Sequence, residues 1–321
     1  MHDGSRSTAR FVYLNIWSWC AGHKRCFTAK ESFMAMMNAI GNLRKMMLKG
    51  PQLPEGDRNA RVIAVAAQKG GVGKTTTTVH LAAGLALYHK RKVLLIDMDA
   101  QGHVSMSLSK VLGEQAQDKE SFGGLLLEKG RDLYEIAQET EIEGLSIIPS
   151  DRALNETESM MSARIGKELL LRQSLKVART HYDVILIDCP PNLGNLTVNA
   201  LTAADEVLIP CDMSVLSLDG VAAILDTLET LRETLNPNIR PLGLLRTRVD
   251  RRNITMNRTI EETLEKWYSS WVLNTVIGVS TAVNKAQLDG QTVFSYNKRD
   301  RAATFYKELS DEIDSIIFND V

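Results

Sequence analysis

The chain has 321 residues, of which 44% are hydrophobic and 24% charged, and its formal net charge at pH 7 is −1. This composition is that of a globular protein with a sizeable core, and the near-zero net charge excludes a global electrostatic attraction to nucleic acid or acidic lipid. The cysteines are too few and too scattered for a disulfide framework, and no apolar run approaches the roughly 18 residues of a membrane span, so we expect a reduced, cytoplasmic protein.

Residues 1–60 are predicted to form an extension outside the main domain, which we expect to comprise residues 61–321. The extension holds nine Lys and Arg but four Asp and Glu. Apolar residues at helical spacing in 32–48 predict one helix, and the Gly- and Pro-containing stretch 50–57 is typical of a linker. Three interpretations remain open: a helix that binds a partner, a disordered or weakly docked extension, and a translation start at an internal methionine.

From residue 62 onward, short apolar runs alternate with stretches of helical periodicity. The runs cover residues 62–67, 93–97, 145–148, 184–188, 207–210, 241–245 and 272–277. Such alternation predicts parallel strands joined by right-handed crossovers, and therefore a three-layer α/β fold in which helices flank a mostly parallel, twisted sheet. Ligands of such sheets bind at the carboxyl ends of the strands, so we expect the motifs that follow these runs to form one site.

A glycine-rich stretch lies between the first predicted strand and a predicted helix. Its glycines can adopt positive φ angles and let backbone N–H groups approach a polyphosphate without hindrance from a Cβ atom. A helix that begins near Lys74 directs its positive end to the same place, the Lys74 side chain can reach the β- and γ-phosphates, and the Thr75 hydroxyl is placed to ligate Mg²⁺. The predicted nucleotide-binding residues are Lys69, Gly70, Gly71, Val72, Gly73, Lys74, Thr75 and Thr76.

Acidic residues follow two other predicted strands. Asp97 and Asp99 leave the end of the run 93–97, and Asp188 ends the run 184–188. Paired acids at a strand end often only form turns, but beside a phosphate loop they are suited to hold Mg²⁺ and its waters. We therefore predict a metal site at Thr75, Asp97 and Asp188.

Residues 69–75, with the sequence KGGVGKT, fit the pattern K-G-G-x-G-K-[ST]. This pattern is the deviant Walker A motif, a phosphate loop of the ParA/MinD family of dimeric ATPases, and the chain resembles that family from about Arg61 to its C-terminus. The resemblance implies a P-loop NTPase fold. Four further segments resemble the family, the last two its partition members in particular: 97–102, 188–191, 196–205 and 216–220.

The resemblance implies an ATP-dependent homodimer in which two subunits enclose two ATP molecules. It implies that Lys69 reaches across to the phosphates of the partner subunit and that Asp99 orients the attacking water. Lys69, Lys74 and Asp99 are therefore the predicted catalytic residues, with ATP and Mg²⁺ as cofactors. Hydrolysis is expected to be slow until a further protein, a ParB-like partner or a cargo adaptor, stimulates it.

Residues 240–258 contain six arginines and one acidic residue. The resemblance to partition ATPases implies that this region and the segment around 299–301 bind double-stranded DNA without sequence preference. One arginine expected by resemblance is absent from residues 277–282, and a solvated face or packing at the adenine remains an alternative for the basic region. The predicted DNA contacts are Arg248, Arg251, Arg252, Arg299 and Arg301.

The sequence thus favours an ATPase that positions DNA or a protein cargo through ATP-dependent binding to the nucleoid, where we expect the protein to reside. The alternative is a membrane-cycling regulator of the MinD type, which ends in a basic amphipathic helix. Residues 308–321 are amphipathic but acidic, so no stable membrane association is expected. A third class, an ATP-dependent ligase or kinase, would need a substrate pocket that no further motif indicates.

Overall fold

The computed structural model of the protein describes residues 53–112 and 120–319. The predicted helix at 32–48 lies outside the described residues. The strands within these ranges are β1 (Arg61–Val65), β2 (Val93–Asp97), β3 (Gln138–Glu139), β4 (Leu145–Ile148), β5 (Val184–Asp188), β6 (Glu206–Asp212), β7 (Arg240–Val249) and β8 (Val272–Gly278).

The α-helices of the described part of the chain alternate with these strands. They are α1 (Lys74–His89), α2 (His103–Ser107), α3 (Phe122–Leu127), α4 (Ala153–Met161), α5 (Leu170–Gln173), α6 (Ala178–His181), α7 (Asn195–Ala203), α8 (Val215–Thr234), α9 (Ile254–Tyr268), α10 (Thr281–Leu288), α11 (Val293–Tyr296) and α12 (Arg301–Phe318).

The strands form one sheet in the order β3-β4-β2-β5-β1-β6-β7-β8. Every neighbouring pair is parallel except β3 and β4, which are antiparallel. The prediction of a mostly parallel sheet is therefore confirmed, and each of the seven predicted runs is a strand. Because β1 lies between β5 and β6, the loop that follows it is at the centre of the sheet edge where ligands bind.

Helices cover both faces of the sheet, which confirms the predicted three layers. Val62 and Ala64 of β1 are buried on one face together with apolar side chains of α4, α7 and α8. Ile63 and Val65 are buried on the other face with side chains of α1 and α12. Successive strand residues point to opposite faces, so a strand that is apolar throughout is buried on both.

Residues 58–60, which fall at the end of the predicted extension, are bonded to the domain through their backbone. Arg58 N donates to Thr180 O at 2.9 Å, and Ala60 N donates to Arg179 O at 2.8 Å. These bonds place residues 58–60 beside α6, the short helix that precedes β5.

The C-terminal helix α12 covers the edge strand β8. The Glu312 carboxylate accepts hydrogen bonds from Asn274 N at 2.7 Å and from Thr275 N at 2.9 Å. An uncovered edge strand would offer such N–H groups to another chain, so Glu312 blocks this edge. Among the described helices, including α12, none is both long and apolar enough to cross a membrane.

Candidate functional site

The loop between β1 and α1 has the backbone conformation of an anion-binding turn. Gly71 and Gly73 have φ angles of 76° and 88°, which residues with a Cβ atom rarely adopt. A Cβ added at Gly70 or Gly73 would meet no other described atom within 4 Å, so the space above the loop is open. No side chain caps the N-terminus of α1 in the described structure, and its first N–H groups are available to an anion.

Lys74 begins α1 and is 8% exposed. Its Nζ donates one long hydrogen bond, 3.4 Å, to the carbonyl oxygen of Lys69. Burial lowers the pKa of Lys74, while the nearby charge of Asp188 acts in the opposite direction. A phosphate oxygen above the loop would be a stronger partner for this ammonium group, because both members of that bond are charged.

Asp188 links the end of β5 to the first two turns of α1. Its carboxylate accepts hydrogen bonds from Thr75 Oγ1 at 2.7 Å and from Thr78 Oγ1 at 3.1 Å. β2 and β5 are neighbours in the sheet, and Asp97 is directly paired with Asp188 across them. The structure therefore brings the three predicted metal residues to one place at the ends of these strands.

The carboxylates of Asp97 and Asp188 repel each other when both are ionised. Burial raises the pKa of Asp188 to about 7. Burial and then the neighbouring Asp188 raise the pKa of Asp97 to about 8. A divalent cation next to this pair would favour the ionised forms. No group of three acidic, His or Cys side chains converges as metal ligands in the described ranges, which is compatible with Mg²⁺ held through a hydroxyl, water and phosphate.

Asp97 and Asp99 have different surroundings. Asp97 accepts hydrogen bonds from Asp99 N at 3.0 Å, Val104 N at 3.2 Å and Ser150 Oγ at 3.2 Å, so it organises the turn after β2. Asp99 accepts one from Gln101 N at 3.1 Å through Oδ1 and is only partly buried. The second carboxylate oxygen of Asp99 accepts no hydrogen bond from the described residues.

Lys69, the lysine before the glycines, is bound within its own subunit. Its Nζ lies 2.8 Å from Asp212 Oδ2, 3.0 Å from Asp212 Oδ1 and 2.9 Å from Ser214 Oγ. Burial alone would raise the pKa of Asp212, but hydrogen bonds from Lys69, Ser214 and Ser217 lower it overall. Asp212 ends β6, so the strand next to β1 supplies the partner of this lysine.

A cavity of about 340 Å³ adjoins the loop on the side of β6 and β7. This volume lies in the usual range of roughly 300–1,000 Å³ for small-molecule sites. The cavity is lined by Lys69, Gly70, Gly71, Asp212, Met213, Arg248, Asp250, Asn253 and Asn257.

Sequence reasoning missed Asp212, Met213, Asn253 and Asn257, because no motif marks them. Asp212 ends β6, Met213 follows it, and the two asparagines follow β7, so their position at the carboxyl ends of these strands could have identified them. Arg248, a predicted DNA contact, also lines this cavity, and its Nη1 donates to the Gly71 carbonyl oxygen at 2.7 Å.

The structure divides the basic region 240–258. Arg240 begins β7, at the far end of the strand from the glycine loop, and its Nη2 is 2.6 Å from Glu206 Oε1. Arg246 Nη2 donates to the carbonyl oxygen of Leu273 at 2.8 Å. Arg246 is thus held against β8, and the exposed Arg240 lies at the opposite end of β7 from the arginines that follow this strand.

The other predicted DNA contacts share one edge of the molecule. Val279 N donates to Val249 O at 3.2 Å, and Ser280 Oγ donates to Asp300 Oδ1 at 3.1 Å. These bonds bring together the loops after β7 and β8 and the start of α12. The four exposed arginines carried by these segments are Arg251, Arg252, Arg299 and Arg301.

Comparisons with known proteins cover most of this domain. Residues 60–241 match the family model described as an AAA domain. The chain is 37% identical over 253 residues to the sporulation initiation inhibitor protein Soj of Bacillus subtilis, an alignment that covers 79% of this chain and 98% of that protein. It is 35% identical over 255 residues to the chromosome partitioning protein ParA of Caulobacter vibrioides, with 79% of this chain and 93% of that protein covered.

A solved structure is similar over the same extent. The cobyrinic acid a,c-diamide synthase of Mycobacterium smegmatis, with bound ADP and magnesium, superposes with a TM-score of 0.66 at 32% identity. The match covers 78% of this chain and 93% of that one.

Proposed function

The chain belongs to the ParA/MinD family of ATPases, as a relative of the partition proteins Soj and ParA, and from this premise we propose how it acts. It is a partition or positioning ATPase that requires Mg²⁺, hydrolyses ATP slowly when alone and dimerises when ATP is bound. The ATP-bound dimer holds non-specific double-stranded DNA of the nucleoid and thereby positions a DNA or protein cargo. A ParB-like partner or cargo adaptor releases it by stimulating hydrolysis.

The contact between Thr75 and Asp188 beneath the glycine loop carries the proposal. The two oxygens are 2.7 Å apart, so a cation ligated by the threonine hydroxyl would have its water shell beside the carboxylate. Thr75, Asp97 and Asp188 together would hold Mg²⁺, which supplies the positive charge that the buried acidic pair lacks. The M. smegmatis relative was solved with ADP and magnesium, which supports binding of a nucleotide and magnesium by this chain.

Two side chains are suited to assist hydrolysis. The loop N–H groups and the Lys74 ammonium would neutralise charge on the β- and γ-phosphates. Asp99 would accept a hydrogen bond from the attacking water and orient it. Because Asp99 is partly exposed and held by one backbone N–H, its position is only loosely defined. A partner that fixes this carboxylate or excludes water would accelerate the reaction.

Dimerisation would follow from a change of partner by Lys69. In the single subunit this ammonium is paired with Asp212. In the dimer it would bind the phosphates of the ATP in the partner subunit, a bond that depends on the nucleotide state. Nucleotide state would thereby control assembly.

DNA binding would use the exposed edge formed by Arg251, Arg252, Arg299 and Arg301. A dimer presents this set twice, and basic groups on exposed loops can contact DNA phosphates without reading bases. Because the net charge of the chain is −1, binding to DNA would depend on such a local basic patch.

A membrane-cycling regulator of the MinD type is also compatible with the family. The observed environment of α12 does not favour it, because Leu309 and Ile313 are fully buried against the domain. Asp314 is bonded to Arg91 at 2.7 Å, which fixes the helix to the end of α1. An amphipathic helix held in this way does not present its apolar side to lipid.

Sedimentation of the purified chain with a non-hydrolysable ATP analogue, with ADP and without nucleotide tests the proposal. We expect a dimer in the sample with the analogue and a monomer in the samples with ADP or without nucleotide. The Lys69→Ala variant should bind the analogue yet remain monomeric, whereas Lys92→Ala, an exposed lysine before β2, should behave as the unmodified chain does. An unchanged dimer in Lys69→Ala would contradict the role of Lys69, and turnover that requires added cobyrinic acid would favour a synthase.

A further inference from the structure

His80 is a buried imidazole with both ring nitrogens engaged. It lies in α1 and is 3% exposed. Its Nδ1 is 2.7 Å from the Thr76 carbonyl oxygen, and its Nε2 is 3.1 Å from Val293 N. Since a backbone N–H can only donate, Nε2 accepts this bond, and the proton on Nδ1 is donated to Thr76. Burial lowers the pKa of His80 to about 4, so the ring is neutral.

The imidazole ring of His80 also contacts two aromatic side chains. Tyr306 of α12 stacks on the ring with centroids 4.5 Å apart and an interplanar angle of 22°. Phe294 of α11 meets it edge-on at 6.1 Å and 67°. Both aromatic residues are buried, so their packing restricts the rotamers open to the imidazole.

The two ring nitrogens of His80 are hydrogen-bonded to different helices, α1 and α11. Thr76 is in the first turn of α1, directly after the glycine loop. Val293 begins α11, which is followed immediately by residues 297–301. That segment carries Arg299 and Arg301, and Asp300 within it caps α12 by accepting a hydrogen bond from Ala302 N at 2.8 Å. One side chain therefore links the first turn of α1 to the start of α11, the helix that precedes the basic segment.

We propose that His80 is a positioning residue that transmits nucleotide occupancy at the phosphate loop to the basic segment 297–301. This inference rests on the proposed function and names a residue through which nucleotide would control DNA contact. Phosphates bound by the loop N–H groups would contact the first turn of α1, so the coupling requires that this turn, with the Thr76 carbonyl group bonded to His80, shift when nucleotide binds. Because the buried Val293 N–H would otherwise lose its acceptor, α11 follows the imidazole.

Hydrogen exchange in the full-length protein tests the coupling without using DNA. In the unmodified chain, a non-hydrolysable ATP analogue should slow amide exchange in residues 293–301 by about threefold or more. His80→Phe fills a similar volume but offers no nitrogen, so it should bind the analogue with nearly unchanged affinity and lose this effect. His80→Gln keeps an acceptor for Val293 N and should retain part of it. His89→Phe makes the same change in the last turn of α1 and should retain all of it.

Two results would overturn the proposal: slowing in His80→Phe equal to that of the unmodified chain, and no slowing in the unmodified chain itself. Nitrogen-15 spectra of the unmodified protein give a measurement that needs no variant. The resonance of His80 Nε2 should shift when the analogue binds, and an unchanged resonance would contradict the coupling. Absence of DNA binding would refute the proposed function but would leave these two measurements unaffected.

Discussion

The Nζ atom of Lys69 lies 2.8 Å from Asp212 Oδ2, so the lysine proposed to reach the partner subunit is held by a carboxylate of its own subunit. The side chains are 30% and 19% exposed, respectively, so the ion pair is partly shielded from water. If Lys69 leaves Asp212 to bind the phosphates of the partner subunit, as proposed, the internal pair competes with dimer formation.

Asp212→Asn should make dimerisation easier. Removal of the carboxylate charge weakens the internal pair, and the ATP concentration at half-dimerisation should fall by about twofold to tenfold, the range expected for a partly exposed ion pair. Sedimentation across an ATP titration measures this shift, and a fluorescent nucleotide reports separately on affinity, since Asp212 also lines the cavity.

Asp219→Asn is the matched control for this prediction, because it removes the same charge from an exposed position in α8. It should leave the ATP titration unchanged. If Asp212→Asn requires more ATP than the unmodified chain at equal nucleotide affinity, the internal pair does not oppose the dimer.

Asp99→Ala should separate binding from hydrolysis. The variant keeps the glycine loop and the Thr75–Asp188 contact, so it should bind ATP and dimerise normally. Turnover should fall by about a hundredfold or more, the usual effect of losing a group that positions the attacking water. Phosphate release measures the rate, with the exposed Asp226→Ala as control, and turnover at the unmodified rate would remove Asp99 from the mechanism.

The stability of the metal-free protein should decrease as pH rises. The pKa values of Asp188 and Asp97 are raised to about 7 and about 8, whereas an unfolded aspartate titrates near about 4. Between the unfolded and the folded pKa values, the folded state keeps protons that the unfolded state has lost. Unfolding therefore releases protons, and a rise in pH favours unfolding. Melting temperatures at pH 6 and pH 8.5 in a chelator should show the decrease, and MgATP should reduce it. A rise in metal-free stability over this range would contradict the account of the pair.

Gly84 permits close packing of α1 against α12. A Cβ added there would lie 2.8 Å from the Cβ of Ser310, a fully buried residue that cannot move aside. Gly84→Ala should therefore lower the free energy of unfolding by about 1–2 kcal/mol, after the gain in helix propensity is included. In Gly220→Ala, the nearest atom is at 3.8 Å, so this helical control should be neutral or stabilising in urea unfolding. Equal stability of the two variants would contradict the packing argument.

The sheet could be predicted because its strands are buried on both faces. Each such strand is a short apolar run, and the runs stand out against the helical periodicity between them. Strand β3 was missed since it has two residues, one of them exposed, and pairs antiparallel at the edge of the sheet. It has no pattern of its own and forms only because β4 is next to it.

The phosphate loop could be predicted because its chemistry needs fixed residue types at fixed spacing. The direction in which the Arg248 side chain points could not be predicted from the sequence. The pairing of β7 with β8 shifts register on both sides of Arg246, and Arg248 has a φ of 53°, so simple alternation does not give the face of its side chain. The pairing of Lys69 with Asp212 was likewise invisible, because these residues are distant in sequence and meet only where β1 and β6 are adjacent.

ATP should make this protein bind DNA, and retention on non-specific duplex DNA tests this dependence most directly. Retention should require ATP, should be absent with ADP, and should weaken by about a thousandfold or more between 50 and 200 mM salt if the dimer contacts six or more phosphates. Arg251→Ala combined with Arg252→Ala should lose it, whereas Arg258→Ala on α9 should not. Equal retention with ATP, with ADP and without nucleotide, or none in any state, would contradict the account.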